Sequence, residues 1–459
     1  MDPVLYWNSI LLEVSRRDFT RGYNNAQQPG PIRTSRAMAI VHIAIHDAVA
    51  FRTKPAAAYL NKKGVAHGIG PLTGNVDDII AGAATETLKA LYPRFEPFID
   101  DSIERVAVAP FNAGKQVGQA VLKHRATDKS DLPLNGPQPM RPAYGKHRAD
   151  PYAPSQPQLG PEWGKVMRFC GTAHQFMPAF PGDGPANYLT NADYLADFEE
   201  VRSYGAVERN QRSAEQQRIG VYWGYDGANN LGVPPRLYNQ VARTIVQTKT
   251  GISVAEMAEL FAMINVAMAD AGIDAWHYKY DYDLWRPVVG IRNEMAPDAD
   301  PFWAPFGAPQ TNSTRGTLTP NFPAYPSGHA TFGAAVMQCL RLALGTAAGP
   351  ITIQDVRDVE DAIGGGGSPN LVANEKFTFI SDELDGVASD PDGSVRTKVE
   401  KVFQNYAQAV WENSVSRIYL GVHWRFDGYS ATNDDVGGVP LGLKIGQEAY
   451  DCFKKNPSL

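Results

Sequence analysis

The sequence is poor in cysteine: Cys170, Cys339 and Cys452 are the three cysteines in 459 residues. They are scattered and have no paired spacing, so they indicate neither a disulfide framework nor a zinc cluster. Thiols without such a pattern suit a reducing compartment. The cysteines thus predict no disulfide framework for this fold.

Long apolar runs are also missing. The best candidate begins at Ala330 and is interrupted by Arg341, so it falls short of the roughly eighteen residues that a transmembrane helix needs. The N-terminus carries an acidic residue, Asp2, and no small-residue cleavage site, which makes it a poor signal peptide. We expect a soluble protein without a membrane partner, cytoplasmic because a signal peptide is absent, with an unconventional export route left open.

A general excess of positive charge is absent as well, because the formal net charge is −6. This balance argues against a protein that binds nucleic acid or anionic membranes. The sequence also contains no Gly-x-Ser-x-Gly pattern, no phosphate-binding P-loop and no internal repeat. Any basic site must therefore be local.

What the sequence does contain is helical periodicity. Apolar residues recur at helical spacing over residues 33–51, 77–127, 253–272 and 398–415, and no stretch is a convincing strand. Residues 132–161 include eight prolines and predict a long loop, which is either a connector or a functional loop. We therefore predict an all-α fold with long proline-rich loops.

Two histidines, His42 and His46, are four residues apart in the first helical segment. That spacing suits a metal ion, but the glutamate of a metalloprotease helix is missing. We predict that both side chains lie in the core or behind a site.

The clearest candidate site begins at Ser327. The residues before it indicate a strand or a loop, and those from His329 to Leu340 are small and apolar enough for a buried helix with Ser327 as its N-cap. A helix N-terminus offers aligned N–H groups and partial positive charge, and Gly328 lets a ligand approach the backbone. This stretch predicts an oxyanion site, although by itself it also fits an ordinary capped helix.

A second stretch supplies cations. Lys279 and Arg286 are seven residues apart, or two helical turns, and Pro287 follows directly. We therefore expect both cations to project from one face of a helix that stops at Pro287.

A third stretch supplies a cation and a paired histidine. Arg417 is followed by His423 and Asp427, which are four residues apart and can hydrogen-bond. An aspartate that holds one ring nitrogen fixes the tautomer and leaves the other nitrogen as a better ligand or nucleophile. Since Arg417 and His423 would not share a face of a straight helix, we predict a bend near Gly421.

The three ordered spacings are Lys-six residues-Arg-Pro, Pro-Ser-Gly-His and Ser-Arg-five residues-His-three residues-Asp. Together they resemble the type 2 phosphatidic acid phosphatase and vanadium haloperoxidase superfamily. Trp276 before the lysine, and the residues Phe-Pro-Ala-Tyr before Pro-Ser-Gly-His, are similar to vanadium chloroperoxidases. The detailed similarity covers roughly residues 215–435.

The resemblance implies two helical bundles, with orthovanadate held in the C-terminal one. It makes His423 the axial vanadium ligand, His329 the acid–base that deprotonates hydrogen peroxide, and Lys279 the group that polarises the bound peroxide. The groups expected to neutralise the vanadate oxygens are Lys279, Arg286, Ser327, Gly328 and Arg417. Behind them the resemblance places Asp427, Asp226, Trp276 and Phe322, although Asp226 also fits an exposed turn.

The expected activity is oxidation of chloride or bromide by hydrogen peroxide to hypohalous acid, which halogenates a small organic acceptor. Phe322 and Trp276 favour this activity, because an apolar wall suits a weakly hydrated halide. The alternative is a soluble acid phosphatase in which His423 attacks phosphate and His329 protonates the leaving group. A protein that binds an anion without turnover is a third hypothesis.

We predict one compact unit over residues 1–459, with an N-terminal helical half over about 1–210 and a C-terminal half over about 211–459 that carries the site. Nothing in the sequence determines the oligomeric state, and a homodimer stays open.

Overall fold

The computed structural model describes residues 2–20, 26–103, 112–139, 143–181, 188–293, 296, 298–314, 316, 318–345 and 348–455. The prediction of an all-α fold is confirmed, because 54% of the structure is helical and the strands are few and short. Parts of two predicted segments lie outside the described residues: 104–111 in the helical stretch 77–127, and 140–142 in the proline-rich loop 132–161.

Within these ranges the α-helices are α1 (Pro3–Asp18), α2 (Gly30–Thr53), α3 (Tyr59–Lys62), α4 (Val76–Leu91), α5 (Glu96–Ile103), α6 (Asn112–Arg125), α7 (Ala192–Tyr204), α8 (Ala214–Tyr222), α9 (Pro234–Gln247), α10 (Val254–Tyr282), α11 (Pro287–Gly290), α12 (Gly328–Ala343), α13 (Ile353–Gly364), α14 (Tyr406–Tyr419), α15 (Arg425–Gly428) and α16 (Gly438–Lys454). Two antiparallel strand pairs accompany them: β1 (Asn135–Gly136) with β2 (Gln158–Leu159), and β3 (Phe377–Ile380) with β4 (Glu400–Phe403). None of these helices combines the length and apolarity that crossing a membrane requires.

The longest described helix, α10, packs against α2, α12 and α16. It begins at a capping box in which Ser253 and Glu256 satisfy each other's backbone N–H groups, as the sequence predicts. Helices α12 and α16 approach closely because α16 carries glycines at their contact. A Cβ on Gly442 would lie 2.3 Å from the Thr331 carbonyl oxygen, and one on Gly446 would lie 2.5 Å from that of Ala335. This contact fixes α12, whose first turn forms part of the site.

The two histidines of α2 are core residues, in agreement with the sequence prediction. His42 is buried with its Nε2 2.9 Å from the Asn8 side-chain nitrogen, and His46 is buried with its Nδ1 2.8 Å from Asp47. Burial lowers the pKa of His42 to about 3. Its ring is therefore a neutral hydrogen-bonding group of the core.

The predicted helix from residue 398 is wrong in its first part. Residues 400–403 form β4, and α14 begins only at Tyr406. The reason is tertiary pairing: β4 hydrogen-bonds to β3, and the rings of Phe377 and Phe403 stack with centroids 4.8 Å apart. Cross-strand packing of this kind outweighs a marginal helical pattern.

The expectation about the cysteines is also wrong, because Cys170 and Cys452 form a disulfide with their Cα atoms 6.2 Å apart. The argument for a reducing compartment falls with it. The two residues are 282 positions apart, so no local spacing could reveal the pair. Asp270 of α10 accepts hydrogen bonds from the N–H groups of Phe169 and Cys170, which hold this loop against α10.

We expect Cys452→Ser to lower the free energy of unfolding by about 2–4 kcal/mol, because the disulfide closes a very long loop and so restricts the unfolded chain. Thermal melting with and without dithiothreitol measures this effect. Reductant should lower the melting temperature of the wild type and leave that of the variant unchanged. A variant that melts like the oxidised wild type would contradict the stabilising role.

Candidate active site

The site is built around the first turn of α12. Ser327 is its N-cap, as predicted, and the Ser327 hydroxyl oxygen accepts a hydrogen bond from the Ala330 N–H at 3.4 Å. The Ser327 N–H donates to the carbonyl oxygen of Asp427 at 2.7 Å, which ties α12 to the histidine-bearing segment. Gly328 lies under the indole of Trp276, because a Cβ there would be 3.2 Å from the ring. A larger residue at position 328 would narrow the approach to the helix N-terminus.

The predicted bend between Arg417 and His423 is confirmed. Helix α14 ends at Tyr419, Gly421 has a φ of +70°, and α15 begins at Arg425. A Cβ at Gly421 would lie 2.4 Å from the carbonyl oxygen of Gly205. Glycine is therefore needed there both for the positive φ and for this close approach. The bend lets His423 line the same cavity as Arg417.

His423 has the partner that the sequence predicts. Its Nδ1 lies 2.7 Å from Asp427 Oδ2, which also accepts the Trp424 N–H at 3.0 Å. Because that oxygen acts as an acceptor for both groups, Nδ1 carries the proton and Nε2 carries the lone pair. Burial, with Arg286 and Lys279 adding to it, holds the pKa of His423 well below its ordinary value. The ring is therefore neutral and can act as a ligand through Nε2.

Lys279 and Arg286 come together, but not as two turns of one helix. Helix α10 ends at Tyr282, Asp283 adopts a left-handed conformation, and Pro287 starts α11 instead of ending a helix. That part of the prediction is wrong, because residues 283–286 are irregular and do not continue α10. Residues 283–286 leave the helical path and hydrogen-bond to neighbouring loops, for example from Trp285 N–H to the Gly145 carbonyl oxygen.

Backbone carbonyls orient both cations. Lys279 Nζ donates to the carbonyl oxygens of Pro323 and Ala324, each at 2.9 Å. Arg286 Nε donates to the Phe322 carbonyl oxygen at 2.8 Å, and Arg286 Nη1 lies 2.9 Å from His423 Nε2. Segment 322–324 thus fixes two cations beside the ring nitrogen of His423.

At this site, three guanidinium nitrogens of two arginines have no partner among the residues that the structure describes. Arg286 Nη2, Arg417 Nε and Arg417 Nη1 are buried and find no hydrogen-bond partner among the described residues. The other terminal nitrogen of Arg417, Nη2, donates to both carboxylate oxygens of Asp226 at 2.9 and 3.0 Å. Buried donors without acceptors are costly. They fit a tetrahedral oxyanion such as orthovanadate, whose oxygens would accept from all three.

We refer to the predicted site residues as the cage, namely Lys279, Arg286, Ser327, Gly328, His329, Arg417 and His423. The charges of the cage also favour a bound anion. Burial, and next the charge of Arg286, hold the pKa of Lys279 well below its ordinary value. Burial lowers the pKa of Arg286 to about 9, with Asp427 opposing the shift and Arg417 adding to it. Each cation is therefore destabilised by its burial and by its neighbours. A bound anion would relieve both effects.

His329 lies on the other side of the cage. Its Nε2 lies 2.8 Å from the Gly224 carbonyl oxygen and 4.0 Å from Asp226 Oδ1. Because a carbonyl oxygen only accepts, Nε2 carries the proton and Nδ1 carries the lone pair. Burial, together with the charge of Arg417, lowers the pKa of His329 to about 4. The side chain is therefore a neutral base near pH 7.

A cavity of about 190 Å³ opens onto this cage. Its polar lining comes from Asp226, Asn321, His329, Arg417 and His423. Its apolar lining includes Trp276 and Phe322, whose ring centroids are 4.7 Å apart. Lys279 Nζ lies 5.1 Å from the Phe322 ring centroid. The apolar wall expected from the sequence thus stands beside the lysine. Lys279, Arg286 and Ser327 are buried behind the cavity lining.

Sequence reasoning missed several residues around the site. Phe19, Leu159 and Phe332 also line the cavity, and the Leu159 carbonyl oxygen accepts from Trp276 Nε1 at 3.0 Å and from the Tyr280 hydroxyl at 2.7 Å. The proline content of residues 132–161 was the one signal that this loop had a role. The structure places its end in the cavity wall.

His147, in the same loop, was missed as well. Its imidazole is buried, and neither ring nitrogen has a hydrogen-bond partner among the described residues. Burial lowers its pKa to about 3, and the charges of Arg286 and Lys279 add to that shift. No sequence pattern identifies this residue, because it reaches the cage only through pairing of its loop with residues 283–285.

The fold and the site together define a helical-bundle enzyme with a cage for a tetrahedral oxyanion. Residues 1–121 match the family model described as the vanadium chloroperoxidase N-terminal domain, and residues 259–457 match the VCPO second helical-bundle domain. The vanadium chloroperoxidase of Curvularia inaequalis is 30% identical over 567 residues, covering 98% of this chain and 89% of that protein. The chain belongs to the vanadium chloroperoxidase family.

Solved structures agree with this fold. A bacterial vanadium-dependent iodoperoxidase superposes with a TM-score of 0.66 at 20% identity, covering 98% of this chain and 95% of that one. A holo-type bacterial vanadium-dependent chloroperoxidase superposes with a TM-score of 0.64 at 14% identity, covering 95% and 96%. The protein is a vanadium haloperoxidase, an enzyme that oxidises halide with hydrogen peroxide and uses vanadate as its cofactor. The phosphatase alternative is not favoured.

Proposed function

We propose that this cage is the vanadate site and that chloride and bromide are the halides oxidised there. His423 would be the vanadium ligand through Nε2, and the vanadate oxygens would be held by Lys279, Arg286, Ser327, Gly328 and Arg417. The observation that carries this proposal is the set of three buried guanidinium nitrogens without partners, on Arg286 and Arg417. A tetrahedral anion with several acceptor oxygens satisfies them together.

When bound, vanadate supplies a Lewis acid that activates hydrogen peroxide for two-electron oxidation of halide to hypohalous acid without a change in its own oxidation state. Asp427 holds the tautomer of His423, so that the lone pair of Nε2 points at the cations. Trp276 and Phe322 exclude water from the side next to Lys279.

Two residues would act on the peroxide. His329 has the lone pair of Nδ1 available to accept a proton from incoming hydrogen peroxide, since its Nε2 is engaged with the Gly224 carbonyl oxygen. Lys279 uses two of its N–H groups on carbonyl oxygens, which leaves the third to donate to a bound oxygen and draw electron density from it. Both roles depend on neutral His329 and a cationic Lys279 at the working pH.

The test is reconstitution. Protein freed of vanadate with chelator and phosphate should form no triiodide from iodide and hydrogen peroxide, and added orthovanadate should restore the activity in a saturable way. Phosphate should compete, because it shares the geometry and charge of vanadate. Full activity in the stripped protein would exclude this cage as the vanadate site. Rapid hydrolysis of p-nitrophenyl phosphate without any halide oxidation would favour the phosphatase alternative.

Halide choice gives a further prediction, centred on Phe322. Chloride is the hardest of the usable halides to oxidise and needs the strongest polarisation of peroxide, which an apolar wall near Lys279 favours by excluding water. Phe322→His should therefore lower chloride turnover relative to bromide by about tenfold, a change of about 1.4 kcal/mol in relative barrier. Steady-state rates at matched pH measure the ratio.

Two matched variants control this experiment. Phe322→Leu keeps the wall apolar and should keep the chloride-to-bromide ratio near that of the wild type. Phe302 is 86% exposed, so Phe302→His tests for a general effect of an added histidine. An unchanged ratio in Phe322→His would place halide selectivity elsewhere in the site.

A further inference from the structure

Segment 224–226 holds two side chains of the cage. The Gly224 carbonyl oxygen accepts from Nε2 of His329 at 2.8 Å, and Asp226 accepts from Arg417 with both carboxylate oxygens. The position of this segment therefore fixes which nitrogen of His329 carries the proton and where the Arg417 guanidinium lies. Any residue that holds the segment in place also acts on the cage.

The backbone of this segment has an unfavourable conformation. It follows the C-terminus of α8, and Tyr225 has a φ of +50°, in the left-handed region that bulky residues rarely adopt. Such a conformation persists only where surrounding contacts hold it. The segment therefore needs a partner from outside its own stretch of chain.

That partner is the carboxylate of Glu383, in the turn Asp382–Leu384. Glu383 Oε1 accepts the Tyr225 N–H at 2.9 Å, across 158 positions of the chain. The packing is close as well, because a Cβ on Gly224 would lie 2.7 Å from the same oxygen. The Tyr225 hydroxyl also accepts the N–H of Asp382, at 2.8 Å. The turn thus contacts the left-handed residue at both its backbone and its side chain.

The Glu383 side chain is itself held in one orientation. It is buried, and its Oε2 accepts from the Thr311 hydroxyl and from Arg396 Nη1, the latter at 2.6 Å. With Oε2 engaged in this way, Oε1 stays directed at Tyr225. The carboxylate cannot rotate without leaving buried donors unpaired, which is costly.

We propose that Glu383 is a positioning residue for the reaction. It holds Tyr225 so that the Gly224 carbonyl oxygen faces Nε2 of His329, which leaves Nδ1 of that ring as the proton acceptor. The inference rests on the proposed function, which gives His329 the acid–base role. Without Glu383 the segment relaxes, and the neutral ring can carry its proton on either nitrogen. The fraction of enzyme able to accept a proton from hydrogen peroxide then falls.

The tautomer of His329 tests this inference without turnover. Nitrogen-15 NMR of vanadate-loaded protein labelled in its histidines distinguishes a protonated ring nitrogen from one with a lone pair, and the spectrum of His329→Gln assigns the signals. We expect His329 to carry its proton on Nε2 in the wild type and to show both tautomers in Glu383→Ala.

Kinetics measure the consequence for the reaction. At saturating vanadate, kcat/KM for hydrogen peroxide should fall at least about tenfold in Glu383→Ala. This is a part of the roughly 10²–10⁴-fold that acid–base catalysis contributes, because Glu383 acts through His329 and does not itself touch the peroxide.

Glu375 provides a matched control, because it is a buried glutamate with the same kinds of partner. It accepts from Arg341 Nη2 at 2.7 Å and from the Tyr406 N–H at 2.9 Å. Arg341 lies about 18 Å from His329 along α12, at ~1.5 Å per residue. Glu375→Ala should therefore lower the melting temperature as Glu383→Ala does, and leave the His329 tautomer and kcat/KM near those of the wild type.

An unchanged tautomer in folded Glu383→Ala would overturn the inference, and so would a mixture of tautomers without a loss of kcat/KM. An equal change in Glu375→Ala would overturn it too, because the effect would then come from lost stability. If Glu383→Ala does not fold, Gly224→Ala replaces it: the added Cβ forces Gly224 and Glu383 apart, and an unchanged tautomer there is equally contrary.

The variant His329→Gln separates this inference from the proposed function. Full peroxide turnover in His329→Gln refutes the acid–base role on which both depend. Loss of turnover in His329→Gln, combined with an unchanged tautomer in Glu383→Ala, refutes the role of Glu383 alone.

Discussion

Replacement of His423 by alanine should abolish halide oxidation and weaken vanadate binding by more than about a hundredfold. The estimate follows because loss of a partner behind a metal ligand already costs about 10–100-fold in affinity, and His423 would be the ligand itself. The buried ring is neutral, carries its Nδ1 proton toward Asp427, and presents the lone pair of Nε2 to the cations.

Equilibrium dialysis of vanadate and triiodide formation would measure the two effects separately. Asp427→Asn is the graded variant: it keeps the size of the side chain and loses the charge, and we expect it to weaken vanadate binding by about 10–100-fold. His67 is half-buried and hydrogen-bonds Asn61 far from the site, so His67→Ala should behave like the wild type. Vanadate affinity that survives in His423→Ala would show that the cations alone hold the anion.

Replacement of Arg417 should also strongly weaken vanadate binding, because this side chain has two partners, Asp226 and the bound anion. Its Nη2 pairs with Asp226, and its Nε and Nη1 are the buried donors left for the anion. We expect Arg417→Met to weaken vanadate binding by at least about a hundredfold, since two charge-assisted hydrogen bonds of about 1.5–3 kcal/mol each are lost. It should also lower the free energy of unfolding by about 3–5 kcal/mol, because Asp226 is left as an unpaired buried charge.

A double variant separates these two roles. Asp226→Asn added to Arg417→Met removes the unpaired charge, so most of the lost stability should return while vanadate affinity stays low. Thermal melting and equilibrium dialysis on the four proteins of this cycle provide both quantities. If the double variant recovered vanadate binding as well, Arg417 would act only by supporting the fold of the cage.

Those parts of the site that depend on neighbours in the sequence could be predicted from it. The cap at Ser327 depends on the side chain and backbone of one helix turn, and the pair His423–Asp427 depends on a four-residue spacing. The bend after Arg417 followed from helix geometry together with Gly421. These interactions are local, so their geometry is set by the backbone between the partners.

Predictions failed where long-range contacts decided the local structure. Arg286 reaches the cage from an irregular segment that is held by loops near Gly145 and Phe322, and not from the helix that its spacing suggested. The pattern at 400–403 favoured a helix, but pairing with β3 made it a strand. Cys170 and Cys452 form a disulfide although they are 282 positions apart, and no local sequence pattern indicates this pair.

The sequence by itself determined the helical fold class and predicted the residues of the cage, because helical periodicity and short motifs depend on neighbouring residues. Only the tertiary structure decided how the cage is packed. It left the guanidinium nitrogens of Arg286 and Arg417 buried without partners, and it brought Phe19 and Leu159 to the cavity wall. The physical reason is that burial and unmet hydrogen bonds are properties of packing between segments far apart in the chain, which no local pattern contains.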